Sequence, residues 1–174
     1  KTRDDWPASI AAMGMALTAY PVGVVRRFIE RDDAAARTLT MLRFLADSEQ
    51  SESPEATGYR GFYYHFLDMQ TGRRAWGSEL SSVDTALLIA GVLTAAAFFD
   101  RSGEREREIR ERGRMLYERV DWRWMLAGRD TLCHGWRPEH DFLPFHWEGY
   151  DEALILYFLA LGSRVMRGVL VDHA

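Results

Sequence analysis

Apolar residues recur at helical spacing through Ile10, Met13 and Leu17, and Ala11 and Ala16 carry the stripe on to Tyr20. This pattern predicts a helix that opens near Pro7, where a first turn tolerates proline, and that Pro21 stops. A short amphipathic piece from Val22 to Glu30 leads to Asp32 or Asp33, either of which suits an N-cap. Ala35, Leu39, Leu42 and Leu45, with Met41 and Phe44, then line a second helix to about Asp47. Residues 48–58 are polar and turn-rich and read as a surface loop inside one domain. Alternation of Phe62, Tyr64 and Phe66 before Gln70-Thr71-Gly72 predicts a β-hairpin over Tyr59 to Trp76.

Ser81 with Asp84 three residues later resembles a capping box, opening a helix from Ser82 to about Phe99. That helix is apolar on nearly every face, which implies burial between neighbours. Glu104 to Arg119 instead alternates charge around Ile109, Met115, Leu116 and Tyr117, as a solvated outer helix does. Trp122 to Phe145 is strand-like and broken by Gly128, Gly135, Pro138 and Pro144, and Tyr150 to Ser163 reads as a second buried helix. Inner and outer helices joined by irregular, acid-bearing loops are what a helical toroid produces. If the two buried helices run parallel, Asp84 and Glu152 lie in first turns at one end of the fold.

The 174 residues suit a single domain, and 47% apolar content suffices for a core. The net charge of −4 comes with scattered bases and no basic face, so nucleic acid is not an expected partner. The apolar run from Ala86 to Phe99 is 14 residues long, short of the ~20 that cross a bilayer, so no membrane span is expected. Cys133 is alone and cannot form an internal disulfide. The chain opens at Lys1 without a Met, which reads as processing or excision from something longer.

Chemistry concentrates in three segments: Ser78 to Gly91, His134 to Glu139, and Trp147 to Ser163, where aromatic rings and carboxylates crowd helix entrances. Apolar rings beside acids are what a sugar site needs. His65, His134, His140 and His146 lack a regular metal-ligand spacing, so hydrogen bonding is expected of them and no metal or cofactor is expected. A nucleophile elbow and a phosphate loop are both missing, which leaves acyl transfer and nucleotide binding unsupported.

Five ordered motifs carry a resemblance: Leu17-Thr-Ala-Tyr-Pro21, Gly61-Phe-Tyr-Tyr-His-Phe-Leu-Asp68, Glu79-Leu-Ser-Ser-Val-Asp-Thr-Ala-Leu-Leu88, Gly135-Trp-Arg-Pro-Glu139 and Gly149-Tyr-Asp-Glu-Ala-Leu-Ile-Leu-Tyr157. From about Ser9 to Ser163 the chain resembles the glycoamylase-like domains of endo-β-1,2-glucanases and cyclic β-1,2-glucan synthases. The resemblance implies an all-α fold, an (α/α)6 toroid with short β-hairpins in its loops, and a β-glucan oligo- or polysaccharide as partner. It also makes a periplasmic or membrane-associated parent protein plausible. Such domains continue after the Gly-Ser pair with Pro-Thr-His-Pro and further helices, whereas here Arg164-Val-Met-Arg-Gly168 follows. The expectation is therefore one partial domain over residues 1–174, with about five or six helices and a divergent tail at 164–174. Self-association, or pairing with the missing half-barrel, would follow. Some glucanases of the family also carry an acid where this chain has Ser81.

Glycosidic cleavage needs one carboxylic acid to protonate the leaving oxygen and one carboxylate to activate water or attack the sugar. Asp84 and Glu152 match acidic positions of the family cleft, and each stands at the start of an apolar helix. The plainer reading is that both favour the positive end of a helix, worth roughly 0.3 to 1 kcal/mol. Glu79, Glu139 and Glu148 lie in motif loops as substrate-binding candidates or ordinary surface carboxylates. Trp136, Trp147 and Tyr150 either stack on pyranose faces or pack the core, and their apolar surroundings are what raises a proton donor's pKa. A glycoside hydrolase or transglycosylase acting on β-1,2-glucan is the expected function, against a non-catalytic glucan-binding module or an inactive fragment.

Overall fold

The computed structural model describes residues 6–164 and residue 166. Among these, five helices make the frame: α1 (Ile10–Val25), α2 (Arg31–Asp47), α3 (Ser82–Phe98), α4 (Glu104–Arg119) and α5 (Leu154–Gly162). α3 packs against α1, α4 and α5, and α2 packs against α4 and α1. The apolar helices thus form one row with α3 at its centre, and the charged α2 and α4 lie beside it. None of the helices is long and apolar enough to cross a membrane.

Glycine decides the tightest helix pair. A Cβ on Gly91 would lie 2.7 Å from the Gly14 Cα, and one on Gly14 would lie 2.7 Å from the Leu88 Cα, so α1 and α3 touch backbone to backbone. The outer pair is joined by charge instead. Arg31 Nε and Nη2 donate to the two carboxylate oxygens of Glu106, each at 2.8 Å, and Nη2 also reaches the Phe98 carbonyl at 2.9 Å. Along the same seam Arg43 and Arg112 both donate to Glu108, at 2.6 to 2.9 Å, and hold its carboxyl down at about 2.

The short strands are β1 (Ala8–Ser9), β2 (Gly58–Tyr59), β3 (Phe62–Tyr63), β4 (Phe66–Leu67), β5 (Leu80–Ser81), β6 (Gly135–Arg137) and β7 (Asp141–Phe142). β2 pairs with β3 across Arg60 and Gly61, whose φ values of 52° and 83° make the two-residue turn that hairpins favour. β4 pairs with β1, while β5, β6 and β7 form a three-stranded antiparallel sheet. Phe62, Tyr63, Tyr64 and Trp122 are fully buried beneath these loops. Tyr63 Oη donates to the Leu45 carbonyl at 2.6 Å and accepts from Arg119, and burial pushes its hydroxyl up to about 12 despite that cation.

Several expectations need correction. α1 runs through Pro21, which is buried, and continues for another turn sealed by Arg26 N donating to the Val22 carbonyl. An interior proline costs about 3 kcal/mol, and tertiary burial outweighs it here. The N-cap of α2 is Glu30, and Asp32 and Asp33 fall in the first turn, because the Arg31 ion pair with Glu106 fixes the helix start. The expected hairpin is present only in part: the chain reverses at Gln70-Thr71-Gly72 with Leu67 bridged antiparallel to Arg74, while Phe62 and Tyr63 pair with β2, Tyr64 bridges Leu80, and Phe66 and Leu67 also bond to β1. Ala56, Thr57 and Gly58 of the expected surface loop are buried, with Thr57 Oγ1 donating to the Gly72 carbonyl at 2.9 Å.

α5 starts at Leu154 rather than Tyr150, after a turn in which Asp151 Oδ1 accepts the Ala153 amide at 2.9 Å. Glu152 consequently precedes the helix instead of standing in its first turn. α5 is buried only at Leu156 and Ala160, while Leu154, Phe158 and Leu161 are exposed. The divergent tail expected at 164–174 lies outside the described residues from 167 onward.

Candidate functional site

The capping box read from the sequence is present and places the first acid. Ser81 is the N-cap of α3, its Oγ accepting the Asp84 amide at 3.2 Å and donating to Asp84 Oδ2 at 2.5 Å. The other Asp84 oxygen, Oδ1, lies 3.7 Å from His65 Nε2. His65 is brought there by backbone pairing: its amide donates to the Glu79 carbonyl at 2.9 Å, and Tyr64 bridges Leu80. The His65 ring stacks on Phe66 with centroids 4.0 Å apart, which fixes its orientation.

On its opposite edge His65 Nδ1 is 3.2 Å from Glu79 Oε1, so one imidazole spans two carboxylates. Arg137, carried next to Glu79 by the pairing of β5 with β6, approaches Glu79 Oε2 at 3.3 Å. Burial pushes the Glu79 carboxyl up, but its own backbone amide, His65 and Arg137 together hold it below the usual range. Glu79 is therefore anionic at neutral pH and suited to accept hydroxyl hydrogen bonds. Asp84, Glu79 and His65 side chains are 14%, 23% and 31% exposed, buried enough to be oriented and open enough to meet a ligand.

A third acid supports the loop before this cluster. Arg74 donates to Glu139 at 2.6 and 3.1 Å and to the carbonyls of Ser78 and Gly77, at 2.5 and 2.9 Å. The Arg74 guanidinium holds the Glu139 carboxyl below the usual range, making Glu139 a brace for residues 74–79. Trp147 lies at the start of α3, its Nε1 donating to Ser82 Oγ at 3.0 Å and its ring stacked on His134 at 3.8 Å.

Trp136 is placed differently. Its ring packs into the core beside Tyr59 and Trp124, and Nε1 donates to Asp141 Oδ1 at 2.9 Å. Tyr150, at 98% exposure, and the exposed Glu148 and Glu152 belong to the loop leading into α5. Among the described residues Glu152 makes no hydrogen bond or ion pair, so the fold joins Asp84 to Glu79 through His65 but does not tie Glu152 to them. The sequence pattern assigns His65 only a general hydrogen-bonding role and leaves Arg137 unmarked. Both lie inside the motifs that carry the family resemblance, and for His65 the alternation of Tyr64, His65 and Phe66 is the available signal.

No protein-family model matches the chain. An exo-β-1,2-glucooligosaccharide sophorohydrolase of Parabacteroides distasonis is 29% identical over 169 residues, covering 91% of this chain and 22% of that protein. The endo-β-1,2-glucanase of Chitinophaga pinensis, solved with sophorotriose and glucose, superposes with a TM-score of 0.82 at 25% identity over 92% of this chain and 38% of its own. A glucoamylase-like protein from Bacteroides fragilis superposes at 0.80 with 25% identity, over 92% and 37% respectively. The chain thus spans about a fifth of the curated relative and well under half of each solved structure.

Proposed function

We propose that this chain, a homologue over nearly its whole length of part of the β-1,2-glucanases and glucoamylase-like proteins, forms the acid-bearing part of a β-1,2-glucan-active glycoside hydrolase or transglycosylase. The observation that carries this reading is the junction of Asp84, His65, Glu79 and Arg137 at the entrance to α3, in a frame shared with the relatives. The frame is read as a portion of an (α/α)6 toroid. In it the exposed apolar residues of α1, Met15, Val22 and Val25, and of α5, Leu154, Phe158 and Leu161, meet neighbouring helices.

Asp84 and Glu152 form the proposed acid pair. Asp84 has one oxygen held by Ser81 and the other beside His65, so a proton can be received or released at Oδ1. Glu152, with no side-chain bond among the described residues, supplies the second carboxylate, and the distance between the two once substrate is bound decides the stereochemical outcome. Glu79 binds sugar hydroxyls as an anion held by Arg137, and Trp147 offers a ring beside the same helix end. Glu148, Tyr150 and Trp136 complete the substrate-binding set, with Trp136 acting through the packing beneath β6.

A non-catalytic glucan-binding role is the competing reading, favoured by the lack of any bond from Glu152 to the cluster. Release of reducing ends from linear β-1,2-glucan separates the two. Asp84→Asn and Glu152→Gln are each expected to lower the rate about 10²- to 10⁴-fold with oligosaccharide affinity retained. Activity unchanged by either substitution would refute the acid pair. Binding without any cleavage would establish the binding module.

A further inference from the structure

Trp76 is an unusual residue for its position. Its φ is +56°, and Gly77 follows at +57°, so Ala75 to Ser78 makes a tight turn closed by the Ser78 amide donating to the Ala75 carbonyl at 3.1 Å. Both central positions of such a turn favour Gly, Asn or Asp, and a bulky L-residue in the left-handed region is strained. Burial does not compensate, because Trp76 is 70% exposed. An exposed, strained tryptophan whose ring meets another aromatic ring only at Phe66 among the described residues points to use by a ligand.

The ring's surroundings define that ligand. Trp76 borders a groove of about 470 Å³ whose rim includes Asp68, Gln70, Arg73 and Glu55, with Arg73 paired to Glu55 at 2.9 Å. One aromatic platform with several hydroxyl-bonding groups around it suits the apolar face and equatorial hydroxyls of a pyranose. A chain of ring contacts links the groove to the acid cluster. Trp76 contacts Phe66 at 5.3 Å between centroids, and Phe66 stacks on His65, which sits between Glu79 and Asp84.

We propose that Trp76 is the stacking platform of an outer subsite, which holds a glucosyl unit of a β-linked gluco-oligosaccharide beyond the sugars at Asp84. This rests on the glucan-active reading above and extends it to chain-length selectivity. Longer oligosaccharides reach Trp76, and the disaccharide bound at the acid cluster does not.

Calorimetric titration of the chain with sophorose and with longer β-1,2-gluco-oligosaccharides tests it, alongside thermal unfolding. Trp76→Asn is expected to weaken the longer ligands about tenfold and leave sophorose unchanged. Relief of strain should raise the melting temperature by about 2 to 4 °C. Trp76→Phe, which keeps a ring, should retain most of the affinity. Unchanged affinity of Trp76→Asn for every length overturns the subsite and leaves the glucan-active reading standing. A lower melting temperature shows a packing role and also overturns it. Failure of the unsubstituted chain to bind any of these sugars overturns both.

Discussion

The ion pair between Arg31 and Glu106 is a scaffold interaction whose size can be worked from its geometry. Both side chains are largely buried, at 16% and 8% exposure, and the Glu106 carboxylate receives two bonds from Arg31 and one from the Arg101 amide, all at 2.8 Å. Removing one member of such a pair leaves the other charge desolvated, which costs about 3 to 5 kcal/mol. Glu106→Ala should therefore lower the melting temperature by roughly 6 to 20 °C, taking about 2 to 4 °C per kcal/mol for a chain of this size. Asp100→Ala, which removes the exposed third partner of Arg31, should cost no more than about 1 kcal/mol.

The pH dependence has a definite sign. Arg31, chiefly by hydrogen bonding, holds the Glu106 carboxyl below its ordinary value against the opposing effect of burial. A lowered folded pKa means that the stabilisation is fully present above the unfolded carboxyl pKa, about 4.3, and is lost as pH falls through the folded value. The stability gap between wild type and Glu106→Gln should then be constant from pH 6 to 8 and shrink below about pH 4. Urea unfolding followed by circular dichroism across that range measures it. A gap under about 1 kcal/mol at neutral pH, or one that widens in acid, would refute the reasoning.

Two further outcomes follow from the packing. Gly91→Ala should destabilise by about 1 to 3 kcal/mol or more, because the new Cβ would overlap the α1 backbone, and a stability within a few tenths of wild type would contradict the observed approach. The exposed apolar residues of α1 and α5 should make the isolated chain self-associate, so its sedimentation coefficient should rise with concentration, and Phe158→Lys should reduce that rise; a concentration-independent monomer would contradict it.

Local chemistry was legible without coordinates. The boundaries of α3 and α4, the Ser81 to Asp84 capping box and the contrast between apolar and charged helices all follow from residue spacing, because capping and amphipathic periodicity act within a few residues along the chain. Asp84 is marked by that same capping box, whereas Glu79 stands out only through the family resemblance. What the tertiary structure alone decided are effects that act between distant segments. Pro21 sits inside a helix because burial outweighs a local preference, and α2 begins at Arg31 because its guanidinium is bound by Glu106, 75 residues away. The union of His65, Glu79 and Arg137 depends on strand pairings between residues 64 and 80 and between 80 and 136, whose register no local pattern specifies. The separate fates of Trp136, packed in the core, and Trp76, held out in solvent on a strained turn, have the same origin. Side-chain type makes a ring apolar, but only the backbone around it determines whether that ring meets protein or water.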